Sequence, residues 1–306
     1  FGEHEGKKAL IKRALYGGKC AGRDYWLHLR SCMEFLGFSP CKADPDVWMR
    51  ASKREDNTDY WEYVLLYVDD CLCISTHPEE IIRKEIGKYF LMKEASIGPP
   101  DIYLGGKVSQ VELETGEVCW SFSSSQYVQE ACRNVRKYLK DRYKDDPIQD
   151  RQYFMPKKAG APLSNNYRPE IDVSPELEPA DAAYYQSLIG ILRWMVELGR
   201  IDICVEVSMM SSCLALPREG HLMQVFHMFS HLEKNHNSEM VFDHSVPDIE
   251  HNDFPKQDWS NTVYANERGE LKEEVPSNFP PSYGKGFVMR VYVDSDHAGD
   301  QVTRRS

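Results

Sequence analysis

Two neighbouring carboxylates, Asp69 and Asp70, interrupt an otherwise apolar stretch of the chain. The runs on either side, 63–67 and 71–75, read as β-strands, and strands this close in sequence pair as a hairpin turning through Val68-Asp69-Asp70. Leu65, Leu66 and Val68 before the bend, and Leu72 and Ile74 after it, bury the arms and leave the acidic pair at the tip. Each carboxylate resists ionising beside the other, so the pair favours a bound cation. Mg²⁺ suits such a site, because it takes oxygen ligands at about 2.0–2.1 Å and keeps places for substrate phosphates. Two such ions about 3.5–4 Å apart can activate an attacking hydroxyl and stabilise a leaving pyrophosphate. A solvated Asp-Asp turn is the competing reading of the dipeptide; the apolar strands and Tyr67 weigh against it.

The chain of 306 residues has room for two or three domains. With 42% apolar and 28% charged residues it has an ordinary globular balance, which excludes a disordered tail, a collagen-like rod and a small disulfide scaffold. No apolar run reaches about 18 residues, and 188–196 is interrupted by Arg193, so a membrane span and a membrane partner are not expected. The sequence opens at Phe1 without an initiator Met or a signal-peptide pattern, and reads as a piece of something longer. Nine cysteines, none in a Cys-x-x-Cys pair, read as reduced thiols of an intracellular protein. Cys71 and Cys73 would share one strand face. The net charge of −11 is uneven: residues 1–140 hold 20 Lys/Arg against 21 Asp/Glu, and residues 141–306 hold 17 against 27. Overall acidity argues mildly against a nucleic-acid partner, although a local basic face suffices.

Along the chain, Tyr16-Gly17-Gly18-Lys19 is a turn-prone break. An amphipathic helix follows, with Trp26, Leu29, Met33 and Leu36 on one face and Gly37 as its stop. Val47-Trp48-Met49 reads as a strand. Thr76-x-x-Glu79 and Ser123-x-x-Gln126 match capping boxes. The first would open a helix burying Ile82, Ile86 and Tyr89, and the second one with the stripe Val128, Cys132, Val135 and Leu139. A hairpin over 103–122 turns at Thr115-Gly116. Six prolines between 146 and 180 leave no room for a helix or central strand, so this is a linker or an extended wrapping segment. Three helical patterns follow near 181–198, 202–215 and 219–235. Their stripes are Tyr185/Leu188/Leu192/Met195, Ile203/Val207/Met210/Leu214 and Leu222/Phe226/Phe229/Leu232. Residues 236–285 are polar and poorly periodic, and 286–293 reads as a strand ending at Asp294-Ser295-Asp296.

Tyr-Val-Asp-Asp on a hairpin resembles the signature of reverse transcriptases, and the surrounding chain resembles the copia-type retrotransposon branch. Ala14-Leu15-Tyr16-Gly17-Gly18-Lys19-Cys20 is similar to the family's Ala-Leu-Tyr-Gly-Leu-Lys-Gln segment, and Ala43-Asp44-Pro45-Asp46-Val47-Trp48 to the stretch before the catalytic hairpin. Tyr103-Leu104-Gly105-Gly106 resembles the primer-grip region. Tyr185-Gln186-Ser187-Leu188-Ile189-Gly190 and Arg200-Ile201-Asp202-Ile203 match blocks after the thumb. Tyr292-Val293-Asp294-Ser295-Asp296-His297-Ala298-Gly299-Asp300 resembles the opening of ribonuclease H. The blocks stand in family order over nearly the whole chain.

The resemblance implies an α/β (α+β) fold. It divides the chain into a partial polymerase palm with antiparallel sheet and packed helices (1–117), a helical thumb (118–145), a proline-rich linker (146–180), a mixed connection (181–285) and the first strand of ribonuclease H (286–306). It implies an RNA-directed DNA polymerase working with two Mg²⁺ ions on an RNA or DNA template, a primer and deoxynucleotide triphosphates. Asp69 and Asp70 would be the polymerase metal ligands and Asp294 the first ribonuclease H ligand. Tyr16, Gly17, Lys19 and Tyr67 would lie by the nucleotide, template and primer end. Leu104, Gly105 and Gly106 would grip the primer, and Arg133, Arg136 and Lys137 would touch the duplex backbone. Gly18 and Cys20 depart from the family's Leu and Gln. The family's first catalytic Asp has no counterpart in residues 1–19, and the other ribonuclease H ligands are missing. A decayed fragment that binds nucleic acid without catalysis is therefore the alternative. A metal-binding structural protein is a third reading, which the scattered Cys and His disfavour.

Weaker signals have plainer explanations. The cations from Arg133 to Lys144 would also serve as a solvated helix face. His227 and His231, four apart, lack the Glu and third ligand of a metal site and read as ordinary histidines. Ser123-Ser124-Ser125 reads as a helix cap, and Trp120 and Phe122 as hairpin core.

Overall fold

A computed structural model describes residues 2–8, 10, 17–144, 153–243, 245, 261, 276–283 and 302. The fold is α+β; the described residues form two four-stranded antiparallel sheets and six helices. The chain divides into two compact units, Phe1–Gly98 with Ser245–Arg290, and Pro99–His244 with Val291–Ser306. Among the described residues no helix is long and apolar enough to cross a membrane.

In the first unit, helix α1 (Ala21–Phe35) ends where Gly37 takes φ +84°, a left-handed conformation that suits a residue without Cβ. Strands β1 (Ser39–Pro40), β2 (Val47–Lys53), β3 (Asp59–Tyr67) and β4 (Asp70–Ile74) lie in the sheet in chain order. Met33 of α1 packs with Phe38, Trp48, Val64, Ile81 and Ile86, so one sheet face is covered. Alternation puts Trp48, Val64, Leu66, Cys71 and Cys73 on that face. The buried stripe of α1 is Leu29, Cys32 and Met33; Trp26 is displaced from it and 41% exposed.

The helical run after β4 starts as α2 (Pro78–Glu80), widens to π geometry over Ile81–Glu85 and tightens to 3-10 over Ile86–Lys88. It buries Ile81 and Ile86, while Tyr89 is 40% exposed. Its expected capping box does not form. His77 takes the cap position, and the Thr76 hydroxyl is instead 2.7 Å from the Tyr60 phenol. Under the sheet, Arg50 donates to Glu62 (2.9 Å), Glu85 (2.7 Å) and the Leu36 carbonyl (2.8 Å), tying α1, the sheet and the helical run together.

In the second unit, β5 (Ile102–Tyr103), β6 (Gly106–Glu112), β7 (Val118–Ser123) and β8 (Met240–Phe242) form the other sheet, and the β6–β7 turn uses Gly116 at φ +82°. Trp120, expected in the core, stands 43% exposed in register with Phe242. Helices α3 (Ser125–Arg142), α4 (Pro179–Glu197), α5 (Cys204–Ser211) and α6 (Glu219–Lys234) enclose the larger core. The α4 and α6 stripes read from the sequence are fully buried, as are Ile203, Val207 and Met210. Ser124 caps α3 by backbone alone, with no side-chain cap bond. The Ser125 hydroxyl instead lies 2.8 Å from His236 Nδ1. His227 faces the Ala161 carbonyl at 3.1 Å.

Residues 153–178 pack as an extended arm: Tyr153, Met155 and Ala159 are buried, and Tyr153 lies 6.0 Å, ring to ring, from Phe226. The arm is fastened to the start of α6, where Gly220 N–H donates to Ser174 (2.8 Å) and Ser174 and Tyr167 donate to Asp172. A Cβ at Gly220 would fall inside the Asp172 carboxylate. Gly220→Ala is therefore expected to cost about 1–3 kcal/mol in a denaturant melt and to speed proteolysis within the arm.

Candidate metal-binding hairpin

In the β3–β4 register Tyr67 pairs with Asp70, so the connecting loop is only Val68-Asp69. Val68 takes φ +55°. Hairpin loops of two residues favour Gly or Asn at such a place, and a β-branched side chain there is strained by about 1–3 kcal/mol. Val68 is 72% exposed, so no burial of its own offsets the strain. The paired strands hold the bend, and the bend presents two carboxylates to solvent: Asp69 and Asp70 are both exposed.

The strands place these groups on a definite surface. Tyr67 and Asp70 fall on the sheet face opposite α1, in line with the pairs Leu65–Leu72 and Tyr63–Ile74. Asp69 lies in the bend itself, on the side of α1. The Tyr25 hydroxyl there is raised above its ordinary pKa by burial, then by the Asp69 charge and by Cys71. Tyr25 sits edge-on to Phe90, with ring centroids 5.9 Å apart. A brace for the strand comes from the 44–46 turn. Trp26 of α1 donates its indole N–H to Asp46 (3.3 Å), Asp46 N–H bonds Asp44 (2.9 Å), and the Asp46 carbonyl accepts from Leu66 N–H (3.0 Å). That turn fixes the base of the strand that ends in Tyr67.

The tip offers two exposed carboxylates, oxygen donors of the kind a hard cation takes. Among the described residues neither Asp69 nor Asp70 forms an ion pair that would neutralise it. Two carboxylates match the one or two that Mg²⁺ ordinarily takes from protein alongside substrate phosphates. The neighbouring thiols do not compete for such an ion: burial pushes Cys71 up to about 11 and Cys73 to about 12, so both stay protonated at neutral pH. Among the described residues no group of three His, Cys, Asp or Glu side chains assembles.

The chain is similar to a yeast transposon protein. It is 26% identical over 210 residues to the "Putative transposon Ty5-1 protein YCL074W" of Saccharomyces cerevisiae, covering 68% of this chain and 59% of that protein. The chain thus spans less than two thirds of the length of its relative. No family model matches the sequence, and no solved structure matches it.

The remaining positions singled out in the sequence are dispersed. Gly17, at φ +84°, and Lys19 are exposed just before α1. Leu104 (φ +52°) and Gly105 (φ +82°) form the two-residue turn between β5 and β6, where Tyr103 pairs with Gly106. Gly106 lets the Phe122 ring approach its backbone, a space that a Cβ would fill. Arg133 and Lys137 are exposed on α3, whereas Arg136 is held in a two-pronged pair by Glu233 of α6. Tyr16 and Asp294 lie outside the described residues. Tyr25 shares the stripe of the buried Leu29 and Cys32, four and seven positions on, whereas the Trp26–Asp46 brace joins residues 20 apart, which no local pattern reveals.

Proposed function

We propose that this chain is the catalytic-hairpin part of an RNA-directed DNA polymerase of a copia-type retrotransposon, fused to ribonuclease H. The observation that carries the reading is the strained Val68 bend, which leaves Asp69 and Asp70, neither ion-paired among the described residues, exposed at the end of an antiparallel hairpin. The similarity to a yeast transposon protein supports it. Asp69 and Asp70 would hold Mg²⁺, which when bound activates a primer hydroxyl and offsets charge on the reacting phosphate.

The chain's own residues position the reactants. Tyr67, paired with Asp70, would line the primer terminus. Gly17 and Lys19, with Tyr16, would border the nucleotide and the templating base. The two-residue Leu104-Gly105 turn and Gly106 would bear on the primer strand. Asp294 would ligate metal in the ribonuclease H part. Substrates would be an RNA or DNA template, a primer and deoxynucleotide triphosphates, inside the cell. On α3, Arg133 and Lys137 are the cations to meet duplex phosphate, while Arg136 is engaged by Glu233. Arg133→Ala with Lys137→Ala is expected to weaken duplex binding and to flatten the slope of log affinity against log salt by about 0.9 for each phosphate that is no longer neutralised. An unchanged slope would remove α3 from the interface.

Nucleic-acid binding without catalysis is the second reading, favoured by the lack of a three-ligand group among the described residues. Primer extension with Mg²⁺ separates the two. Residues 1–306 alone are expected to bind a primer–template and not extend it, and a chain lengthened upstream to supply a third carboxylate is expected to extend it. Failure of the lengthened chain would overturn the polymerase reading and leave the binding one.

A further inference from the structure

The sheet face that carries Tyr67 and Asp70 also carries Trp61, because residues 61, 63, 65 and 67 alternate onto the same side of β3. A distant piece of the chain lies against it. The Trp61 indole N–H donates to the Pro281 carbonyl at 3.0 Å, and its ring stacks on Tyr283, centroids 5.1 Å apart and planes at 29°. Lys42 donates to the Asn278 carbonyl at 3.4 Å, and its ammonium lies 5.7 Å from the centre of the Phe279 ring.

These contacts set the direction of the segment. Cys41 N–H bonds the Val47 carbonyl, and Val47 pairs with Leu65, so Lys42 stands near the level of Leu65, one alternation below Tyr67. Trp61 pairs with Ala51, further from the acidic tip. Residues 276–283, Pro-Ser-Asn-Phe-Pro-Pro-Ser-Tyr, therefore run between these two levels of β2 and β3. An aromatic ring with an N–H aimed at a carbonyl in a proline-rich stretch is a recurrent way of holding such peptides, whose restricted backbone loses little entropy on docking.

We propose that residues 276–283 are a resident proline-rich strap on the Lys42–Trp61 surface, competing with nucleic acid for the sheet face beside Asp70. This rests on the polymerase reading for the identity of the competitor; the strap's docking does not. A duplex reaching Asp70 along that face meets the strap first, so strap release and duplex binding are linked, each favouring the other by the same factor.

Phe279→Ala combined with Tyr283→Ala in the full chain loosens the strap and leaves the sheet untouched. Two measurements are needed: hydrogen exchange of peptides covering 276–283, and the affinity for a fluorescent primer–template duplex. The double variant is expected to exchange faster in the strap and to bind duplex about tenfold tighter, the order of one cation–π contact and one aromatic pair. Duplex added to the parent chain is expected to speed strap exchange. Trp61→Ala should reproduce the faster exchange from the other side of the contact. A strap that exchanges like free peptide in the parent overturns the proposal. A loosened strap with unchanged duplex affinity overturns the competition while nucleic-acid binding stands. Duplex bound by neither protein overturns the polymerase reading and the competition with it, and exchange alone then reports whether the strap docks.

Discussion

Asp69→Asn with Asp70→Asn is expected to remove Mg²⁺-dependent primer extension, by about a thousandfold or more, from a polymerase containing this chain, with its melting curve unmoved. A metal-assisted phosphoryl transfer draws several kcal/mol from the bound ions, and each 1.4 kcal/mol is a factor of ten in rate. Asparagine keeps the shape and the turn preference of aspartate but supplies no charge, so the cation loses its anchoring oxygens. Both side chains are exposed at a bend held by strand pairing, and neither is ion-paired among the described residues, so folding should hardly notice the change. Rate loss together with a collapse in Mn²⁺ binding would support the assignment. A variant that keeps both would show that the carboxylates are a solvated turn.

The opposite pattern, large for stability and silent for chemistry, is expected at Arg50. Its guanidinium binds Glu62 and Glu85, reaches the Leu36 carbonyl, and lies 4.2 Å from the centre of the Phe38 ring. Arg50→Ala strands Glu62, which is 4% exposed, with only the Tyr60 and Ser75 hydroxyls for company. Removing one partner of a buried pair costs about 3–5 kcal/mol; Arg50 and Glu85 keep some water contact, so the lower end applies. Burial would raise the Glu62 carboxyl, but hydrogen bonds from Arg50 and Ser75, the Arg50 charge and the Tyr60 bond outweigh it, and the group sits below the ordinary carboxylate range.

The pH dependence follows from that sign. A depressed carboxyl contributes stability that is present above its unfolded value, about 4.3, and is lost as pH falls through the folded value. Arg50→Ala removes a hydrogen bond and a charge that lower this carboxyl, so it is expected to rise toward or above the ordinary range and the loss of stability at low pH to shrink. Urea melts of both proteins between pH 3 and 7, a range set around the ordinary carboxylate value, would show the two slopes. Parallel slopes would mean that Arg50 is not what holds Glu62 ionised.

Much of this protein is legible from its sequence because its signals are local. The hairpin through Val68 needs only two apolar runs and a short bend, and the stripes of α4 and α6 follow from a 3.6-residue period. The first capping box fails for a tertiary reason: the Thr76 hydroxyl is taken by Tyr60, a partner that no local pattern reveals. The second is displaced locally: Ser124 stands at the start of α3 in place of Ser123, whose hydroxyl accepts from Ser125 N–H at 3.4 Å. Hydrophobicity alone places Trp120 and Trp26 in cores, yet each falls on an element's outer face, because only packing decides which face is covered.

That two carboxylates stand at the end of a hairpin, and which helices can share a core, follows from local pattern, since backbone period and turn length are properties of neighbouring residues. Tertiary packing fixed the Trp26–Asp46 bond that braces the strand ending in Tyr67, and it left Arg136 engaged while Arg133 and Lys137 are exposed. It also set residues 276–283 against Trp61, more than 200 positions away. Contacts between distant residues depend on where whole elements come to rest, and that is fixed by burial summed over the entire core.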